Sequence, residues 1–291
     1  MKQTPHYFYD LDLLDDTLTC IQEEIKEVNF HVHYAVKANH NEVLLKHIAK
    51  EGFGADCISR GEIEYALNSG YESSEIVFAG VGKTDAEIIY ALENNVGMLH
   101  CESLEEVTVI NEIAGQLNTV ATIALRLNPN VNPLTHEKIS TGLKENKFGL
   151  TAFEFNELVK LKGTMPHVNI VGMHFHIGSQ ISDLSVFVDL CDRINEFAPL
   201  FETQIGPLTY LNVGGGLGID YFEPDENPIP EFQAYFEIFK TCLEIDKSIP
   251  VHFELGRSIV AQCGSLRTEV LYVKKSENKT KLFFSWYQFS L

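Results

Sequence analysis

The sequence predicts an α/β protein whose main body is a (β/α)8 barrel. Short apolar segments alternate with segments of helical period, and eight such units run from residue 30 to residue 258. Alternating strands and helices imply a parallel sheet with right-handed crossovers, and a barrel of this kind takes about 250 residues. A doubly wound open sheet is the competing fold, but no glycine-rich dinucleotide turn follows the first strand.

The elements follow in order. Residues 1–29 predict a strand (7–9) and a helix (11–28) that lead into the barrel. The predicted barrel strands lie at residues 31–37, 52–57, 75–80, 97–101, 121–127, 168–176, 208–213 and 250–254. The predicted helices between them lie at residues 41–50, 60–68, 85–93, 104–117, 153–162, 184–201 and 232–244.

Two segments depart from this alternation. Residues 128–147 carry Asn, Pro, Thr and Gly and predict a long loop, and long loops in compact domains are often functional. Residues 268–273 and 281–284 predict a hairpin around a polar turn. We therefore interpret residues 259–291 as the start of a second, β-rich domain.

Composition narrows the function classes. The formal net charge is −19 and no Lys/Arg-rich run occurs, which argues against nucleic acid as a partner. The six cysteines are widely spaced without a C-x-x-C pair, so neither a zinc knuckle nor a disulfide framework is predicted. No apolar signal core or membrane-length run is present, and the expected location is the cytoplasm.

Reactive side chains recur at the predicted carboxyl ends of the strands, where barrels of this type place their active sites. Lys37, Asp56, Arg126 and Glu254 all stand there. A lysine at the end of a buried strand is partly desolvated, which is expected to lower the pKa of its amine and make it a nucleophile. The alternative is a lysine that merely extends from a strand end into solvent.

Three consecutive glycines, residues 214–216, follow the seventh strand. Their backbone N–H groups could converge on an anion, and the loop after strand seven is a known phosphate position in barrels. A tight turn with positive φ is the alternative reading. Ser179 and Arg257 could add donors to the same phosphate, although a serine at such a position is often a helix cap.

Glu254 ends a core strand, and a buried carboxylate needs a partner. Arg257 is one candidate, and a protonated ring nitrogen of a cofactor is the other. A strand-end lysine, a phosphate site and a buried acid together fit pyridoxal 5'-phosphate. His174 and His176 share a strand face and could bind a metal, but no matching set of further ligands is present, so no metal is predicted. His176 is instead expected to pack against the cofactor ring.

The segments at residues 34–39, 139–149, 176–181, 214–219 and 254–258 resemble fold-type III pyridoxal-phosphate-dependent decarboxylases, which have the alanine racemase-like barrel. Within that group the chain is most similar to the diaminopimelate decarboxylases. The resemblance implies a carboxy-lyase that removes CO2 from the D-configured centre of meso-diaminopimelate to give L-lysine, the last step of lysine biosynthesis.

The resemblance also implies roles for individual residues. Lys37 would bind the cofactor covalently, His176 would stack on its ring and Glu254 would pair with the ring nitrogen. Asp56, Glu62 and Arg126 would support the cofactor and its lysine. The phosphate would be surrounded by Ser179, Gly214, Gly215, Gly216, Gly256 and Arg257, with Arg257 also facing the amino-acid substrate.

Members of this family form homodimers that share active sites through a C-terminal β domain. The 291 residues leave little length for that domain after the barrel. The resemblance therefore predicts a C-terminally shortened member with reduced turnover and reduced dimer contacts. Two alternatives stay open: a decarboxylase of ornithine, arginine or carboxynorspermidine, and a non-catalytic barrel that binds pyridoxal phosphate.

Overall fold

A computed structural model describes residues 4–129, 148–277 and 279–285, and it confirms the predicted barrel. Eight strands, β2 to β9, close a parallel barrel in chain order, and β9 pairs with β2 to complete the ring. The helices that separate successive strands are those of a (β/α)8 fold. Residues 130–147, which hold most of the predicted long loop and most of the 139–149 motif, lie outside the described residues.

The described elements have the following bounds. The strands are β1 His6–Tyr9, β2 Phe30–Ala35, β3 Gly54–Cys57, β4 Ile76–Phe78, β5 Met98–Cys101, β6 Ala121–Arg126, β7 Val168–His174, β8 Tyr210–Asn212, β9 Val251–Leu255, β10 Gly264–Arg267, β11 Val270–Lys275 and β12 Thr280–Phe284. The helices are α1 Leu11–Ile25, α2 Glu42–Lys50, α3 Arg60–Ser69, α4 Asp85–Glu93, α5 Leu104–Gln116, α6 Ala152–Leu161, α7 Ser185–Gln204, α8 Phe232–Cys242 and α9 Arg257–Val260.

Helix starts follow from local chemistry. Asp10 caps α1 because its carboxylate accepts hydrogen bonds from the N–H groups of Asp12 and Leu13. Helices α4 and α6 begin with reciprocal capping boxes, Thr84 with Glu87 in α4 and the equivalent threonine and glutamate pair in α6. These side chains satisfy donors that the first helical turn leaves unpaired.

An aromatic layer joins α7 and α8 to the outside of β9. Phe253 of β9 meets the rings of Phe236 and Phe239 edge-on, at centroid distances of 5.0 and 5.1 Å. Tyr235 lies edge-on to Phe187 of α7 at 4.9 Å. Edge-to-face pairs add stabilisation beyond the apolar area that they bury, so this layer holds the end of the barrel that carries β9.

The interior of the barrel is unusually polar. Barrels of this class are normally filled by Val, Ile and Leu, whereas buried polar side chains are contributed here by six strands. These are His33, Asp56, His100, His174, Asn212 and Glu254. Burial of polar groups is unfavourable unless they find partners, and several of these side chains lie in or next to the candidate site.

The structure differs from the sequence prediction at four points. The first barrel strand, β2, ends at Ala35, and Lys37 lies in the 3-10 turn Val36–Ala38 that follows. Strand β7 ends at His174, so His176 lies beyond the strand. The sequence did not predict α9 or β10, and β10 pairs antiparallel with β1, which brings residues from opposite ends of the chain together.

The predicted hairpin is confirmed, since β11 and β12 pair antiparallel. Its apolar side chains, including Leu271, Tyr272 and Phe283, are exposed. The boundary of a second domain near residue 259 stays a prediction. None of the described helices combines the length and the apolar composition that a membrane crossing needs.

Candidate active site

A cavity of about 620 Å³ opens at the carboxyl ends of the barrel strands. That volume lies within the range of small-molecule sites. Seven of the predicted site residues line it: Lys37, His176, Ser179, Gly216, Glu254, Gly256 and Arg257. Tyr9 and Leu266 of the β1–β10 pair also line the cavity, so this pairing, which the sequence did not predict, forms part of its wall.

Lys37 forms an ion pair with Asp56, with Nζ 2.9 Å from Oδ2. The Asp56 side chain has no solvent exposure, and its charge raises the pKa of Lys37 above the usual lysine range even though burial acts in the opposite direction. The expectation that desolvation lowers the pKa of Lys37 is therefore wrong for the chain without a bound ligand. A neighbouring carboxylate outweighs partial burial because opposite charges in contact favour the charged amine.

Asp56 and Glu62 lie next to Lys37 but outside the cavity lining. Burial and nearby Glu254 raise the pKa of Asp56, while the Lys37 ammonium opposes that shift. Glu62 accepts a hydrogen bond from the Ile58 N–H at 2.9 Å, and its pKa is raised mainly by burial. Both acids are placed to act on Lys37 rather than on a molecule in the cavity.

Arg126 faces a second cavity of about 750 Å³. Its guanidinium pairs with Glu102, which also accepts a hydrogen bond from the Gly149 N–H at 2.9 Å. His176 lines both cavities and stands between them. Arg126 does not line the first cavity, so it can support a cofactor there only through its neighbours.

The three glycines differ in what they contact. A Cβ at Gly215 would lie 1.7 Å from the Glu254 carbonyl oxygen, and a Cβ at Gly214 would lie 2.3 Å from the Phe175 carbonyl oxygen. Gly214 (φ +71°) and Gly216 (φ +112°) have positive φ, as the tight-turn alternative required. The Gly214 N–H donates to Asn212 Oδ1 at 2.8 Å, so the predicted phosphate contact rests on Gly216 and Gly256, which line the cavity.

Ser179 and Arg257 meet at the mouth of the cavity. Arg257 Nη2 donates to Ser179 Oγ at 3.4 Å, and its other terminal nitrogen contacts the Tyr221 hydroxyl. Ser179 does not cap a helix, since α7 begins at Ser185. A cationic guanidinium and a hydroxyl on one wall are donors suited to an anionic group.

Glu254 lies at the base of the cavity and is 5% exposed. Its Oε1 lies 3.3 Å from His100 Nδ1 and 3.3 Å from His174 Nε2. Burial acts to raise the pKa of Glu254, but the two imidazoles hold it below the usual carboxyl range. In the described part of the chain these two imidazoles are the basic groups in contact with Glu254, and the alternative in which Arg257 neutralises Glu254 is not observed.

The histidine pair expected on one strand face is split. His174 is buried under Glu254, whereas His176 lines the cavity. Burial lowers the pKa of both imidazoles, that of His174 to about 3. Among the described residues, His100, His174 and Glu254 form the group whose possible metal-ligand atoms cluster, and His176 is not part of it.

These residues fit pyridoxal phosphate on observations of the structure itself. His176 Nδ1 and Glu254 Oε1, which belong to residues that line the cavity, are buried without a well-formed hydrogen bond to any described residue. Unpaired buried polar atoms are costly, and they mark places where a ligand can supply the partner. The cavity brings together the Lys37 amine, the buried Glu254 carboxylate, the flat His176 ring and the Arg257 cation. These groups suit a cofactor that has a carbonyl group, a ring with a ring nitrogen, and a phosphate.

The sequence did not predict that His100 and His174 contact Glu254, that Asn212 accepts a hydrogen bond from the glycine loop, or that the Tyr210 hydroxyl contacts His100. The sequence carried only a weak indication of these contacts. Each residue occupies an inward position of a barrel strand, where an apolar residue is normal. Four polar residues in such positions on β5, β7 and β8 were the available indication.

The family model "Pyridoxal-dependent decarboxylase, pyridoxal binding domain" matches residues 13–261. The chain is 46% identical over 278 residues to a diaminopimelate decarboxylase of Bacteroides thetaiotaomicron, covering 95% of this chain and 72% of that protein. It is 40% identical over 277 residues to one of Helicobacter pylori, covering 95% of this chain and 67% of that protein.

A crystal structure of the Helicobacter pylori diaminopimelate decarboxylase complexed with L-lysine superposes with a TM-score of 0.87 at 37% identity. The match covers 98% of this chain and 71% of that one. The chain thus spans about two thirds to three quarters of the length of these relatives, and the shared part is the barrel with the candidate site.

Proposed function

This chain belongs to the pyridoxal-dependent decarboxylases, and we propose that it acts in decarboxylating meso-diaminopimelate to L-lysine and CO2. The observation that carries the proposal is the cavity in which Lys37, His176, Glu254 and Arg257 meet. The Bacteroides thetaiotaomicron and Helicobacter pylori relatives, 46% and 40% identical, are diaminopimelate decarboxylases. The activity is proposed for the whole protein, since the chain spans only part of those relatives.

When bound, pyridoxal phosphate supplies a ring that accepts the electron pair left behind as CO2 departs. Lys37 provides the amine that attaches the cofactor, and Asp56 holds that amine in place and controls its charge. Glu254 holds a proton at the ring nitrogen. His176 packs against the ring and separates it from the second cavity.

The mouth of the cavity binds the anionic groups. Ser179, Gly216, Gly256 and Arg257 surround the space proposed for the phosphate. Arg257 is also the cation proposed to receive a carboxylate of the substrate. Two anionic groups at one cationic mouth require further donors, and the Tyr221 hydroxyl beside Arg257 is available for this purpose.

Reductive trapping tests the cofactor proposal. Purified protein is incubated with pyridoxal phosphate, reduced with borohydride and mapped by peptide mass spectrometry. We expect the label on Lys37. Lys83 is the internal control, because its side chain is 1% exposed and paired with Glu106. A label on Lys83, or no label, contradicts the assignment.

Release of CO2 tests the substrate. We expect turnover with meso-diaminopimelate and much less with L-ornithine, L-arginine or carboxynorspermidine. Preference for one of the other three would replace the substrate and keep the reaction. Cofactor binding without turnover of any of them would favour a non-catalytic pyridoxal-phosphate protein.

A second copy of the chain is the protein partner that the family resemblance implies, and a homodimer is proposed on that ground. The exposed apolar side chains of the β11–β12 hairpin are compatible with further contacts there. Sedimentation equilibrium gives the mass directly. The cytoplasmic location and the domain boundary near residue 259 stay predictions from the sequence.

A further inference from the structure

The Tyr9 hydroxyl lies beside the turn that carries Lys37. Tyr9, Lys37 and Asn39 all line the cavity of the candidate site. Tyr9 Oη is 2.9 Å from Asn39 Nδ2, and Asn39 follows Lys37 by two residues. Strand β1 therefore brings a phenol group from the amino-terminal part of the chain to the wall that also carries the reactive lysine.

The hydrogen bond between Tyr9 and Asn39 has one possible direction. The Asn41 N–H can only donate, and it donates to Asn39 Oδ1 at 3.0 Å. The Asn39 NH2 is therefore the end that faces Tyr9, and it donates to the phenol oxygen. The hydroxyl hydrogen of Tyr9 then points away from Asn39, and among the described residues no acceptor contacts it.

The surroundings hold both partners in place. The Asn39 carbonyl oxygen accepts a hydrogen bond from the Tyr34 hydroxyl at 2.9 Å, and Tyr34 is fully buried. The Tyr9 ring packs over Gly264 of β10, where an added Cβ would lie 3.4 Å from Tyr9 Cε1. A donor that is already held in position loses little conformational freedom when a ligand binds, which favours affinity.

We propose that Tyr9 is a ligand-binding residue whose hydroxyl donates a hydrogen bond to an anionic oxygen of the molecule in the cavity. The proposal rests on the proposed function, because that oxygen belongs either to the cofactor phosphate or to a carboxylate of the amino-acid substrate. Both groups offer a hydroxyl the same kind of charged acceptor. Donation from Asn39 polarises the Tyr9 hydroxyl and strengthens it as a donor.

The charges around the cavity explain why a neutral donor is needed there. Lys37 and Arg257 are the cationic side chains among its described lining residues. Lys37 is already paired with Asp56, and Glu254 adds a negative charge at the base. Arg257 cannot by itself satisfy the oxygens of a phosphate and of a carboxylate. A hydroxyl supplies a further donor without placing a second unpaired cation at the site.

Ligand titration of the cofactor-free protein tests the donor. The probes are inorganic phosphate, pyridoxal phosphate and meso-diaminopimelate. Tyr9→Phe removes the hydroxyl and keeps the ring, and we expect it to weaken binding by about 10- to 100-fold, as for a lost hydrogen bond to a charged group. Weaker binding of both phosphate compounds assigns the contact to the phosphate. Weaker binding of meso-diaminopimelate alone assigns it to a carboxylate. Tyr272→Phe, at a position 72% exposed on β11, is the matched control.

Asn39→Asp tests the direction of the hydrogen bond. An aspartate keeps an acceptor for the Asn41 N–H but offers Tyr9 an acceptor in place of a donor, so the hydroxyl hydrogen turns toward residue 39. We expect Asn39→Asp to weaken the same ligand as Tyr9→Phe does. Repulsion between the new carboxylate and an anion persists in Tyr9→Phe/Asn39→Asp. A smaller effect of the aspartate in that background therefore isolates the hydroxyl.

Unchanged affinity of Tyr9→Phe for all three probes overturns the proposal. An effect of Asn39→Asp that is equally large with and without the Tyr9 hydroxyl overturns it as well. If the unsubstituted protein fails to bind pyridoxal phosphate but its affinity for inorganic phosphate still depends on Tyr9, the proposed function alone is contradicted. Binding of none of the probes contradicts both.

Discussion

Lys37 Nζ lies 2.9 Å from Asp56 Oδ2, and the Asp56 side chain is fully shielded from solvent. The Lys37 side chain is 42% exposed, so water screens part of the attraction. The pair keeps Lys37 protonated at neutral pH. An amine must lose that proton before it can attack a carbonyl group, and Asp56 therefore limits how readily the free chain captures its cofactor.

The first prediction concerns the pH dependence of that capture. Asp56 raises the pKa of Lys37, so the rate of capture rises with pH in the unsubstituted chain. In Asp56→Asn the pKa of Lys37 falls, and the rise should occur at lower pH. Stopped-flow absorbance with pyridoxal phosphate across a pH series measures it. Asp56→Glu retains the charge and serves as the control; equal profiles for the Asn and Glu variants would contradict the prediction.

Glu254→Gln gives the second prediction. The cofactor should stay bound because Lys37 and the mouth of the cavity are unchanged. Turnover should fall by about 10²–10³-fold, as is typical when one preorganised electrostatic partner is removed. CO2 release and cofactor absorbance are measured on the same sample. Glu23→Gln, an exposed position on α1, is the matched control. Full turnover in Glu254→Gln would leave Glu254 with a structural role only.

His176→Ala tests the ring contact. Loss of one aromatic packing partner costs about 0.5–1.5 kcal/mol, which corresponds to an increase of roughly two- to tenfold in the Kd of the cofactor. Fluorescence titration measures the Kd, and His176→Phe should recover most of the affinity. His47→Ala, on α2, should bind as the unsubstituted chain does. Unchanged affinity in His176→Ala would show that the imidazole does not contact the ring.

Gly215→Ala tests the packing of the glycine loop. The added Cβ would lie 1.7 Å from the Glu254 carbonyl oxygen, and such overpacking costs about 1–3 kcal/mol of unfolding free energy. Gly163→Ala is the control, since nothing lies within 4 Å of its added Cβ. Denaturant melts of both variants measure the difference. Equal stability of the two variants would mean that the loop can move away from β9.

His33 predicts a pH dependence of stability. Burial lowers its pKa from 6.5 to about 4. Between these values the unfolded chain binds a proton that the folded chain does not, so His33 makes stability fall as pH falls, by about 1.4 kcal/mol per pH unit. Its neighbour His252, with Nδ1 2.8 Å from His33 Nε2, has a pKa lowered in the same direction by burial.

Unfolding free energies at several pH values between 4 and 6.5 check this prediction in His33→Gln and the unsubstituted chain. The variant loses one such contribution, so the difference between the two curves should change steadily across that range. Curves that stay parallel would show that His33 is already protonated in the folded chain.

Local spacing explains how much of the fold the sequence predicted. Helix α4 has the predicted bounds, and the order of strands and helices follows from the period of apolar residues. The hairpin β11–β12 was recognisable for the same reason. Strand β10 was not, because Gly264–Arg267 pairs with His6–Tyr9 near the other end of the chain, and no local pattern reports a partner so far away in sequence.

By itself, the sequence determined that one lysine, one buried acid and a glycine loop stand at the carboxyl ends of the first, eighth and seventh barrel strands. Only the tertiary structure decided what each of them experiences. It placed Asp56 against Lys37, which reversed the expected pKa shift, and it placed His100 and His174 beneath Glu254 in place of Arg257. The physical reason is distance: periodicity depends on neighbours along the chain, whereas charge and hydrogen bonding depend on ångström separations between strands that only closure of the barrel brings together.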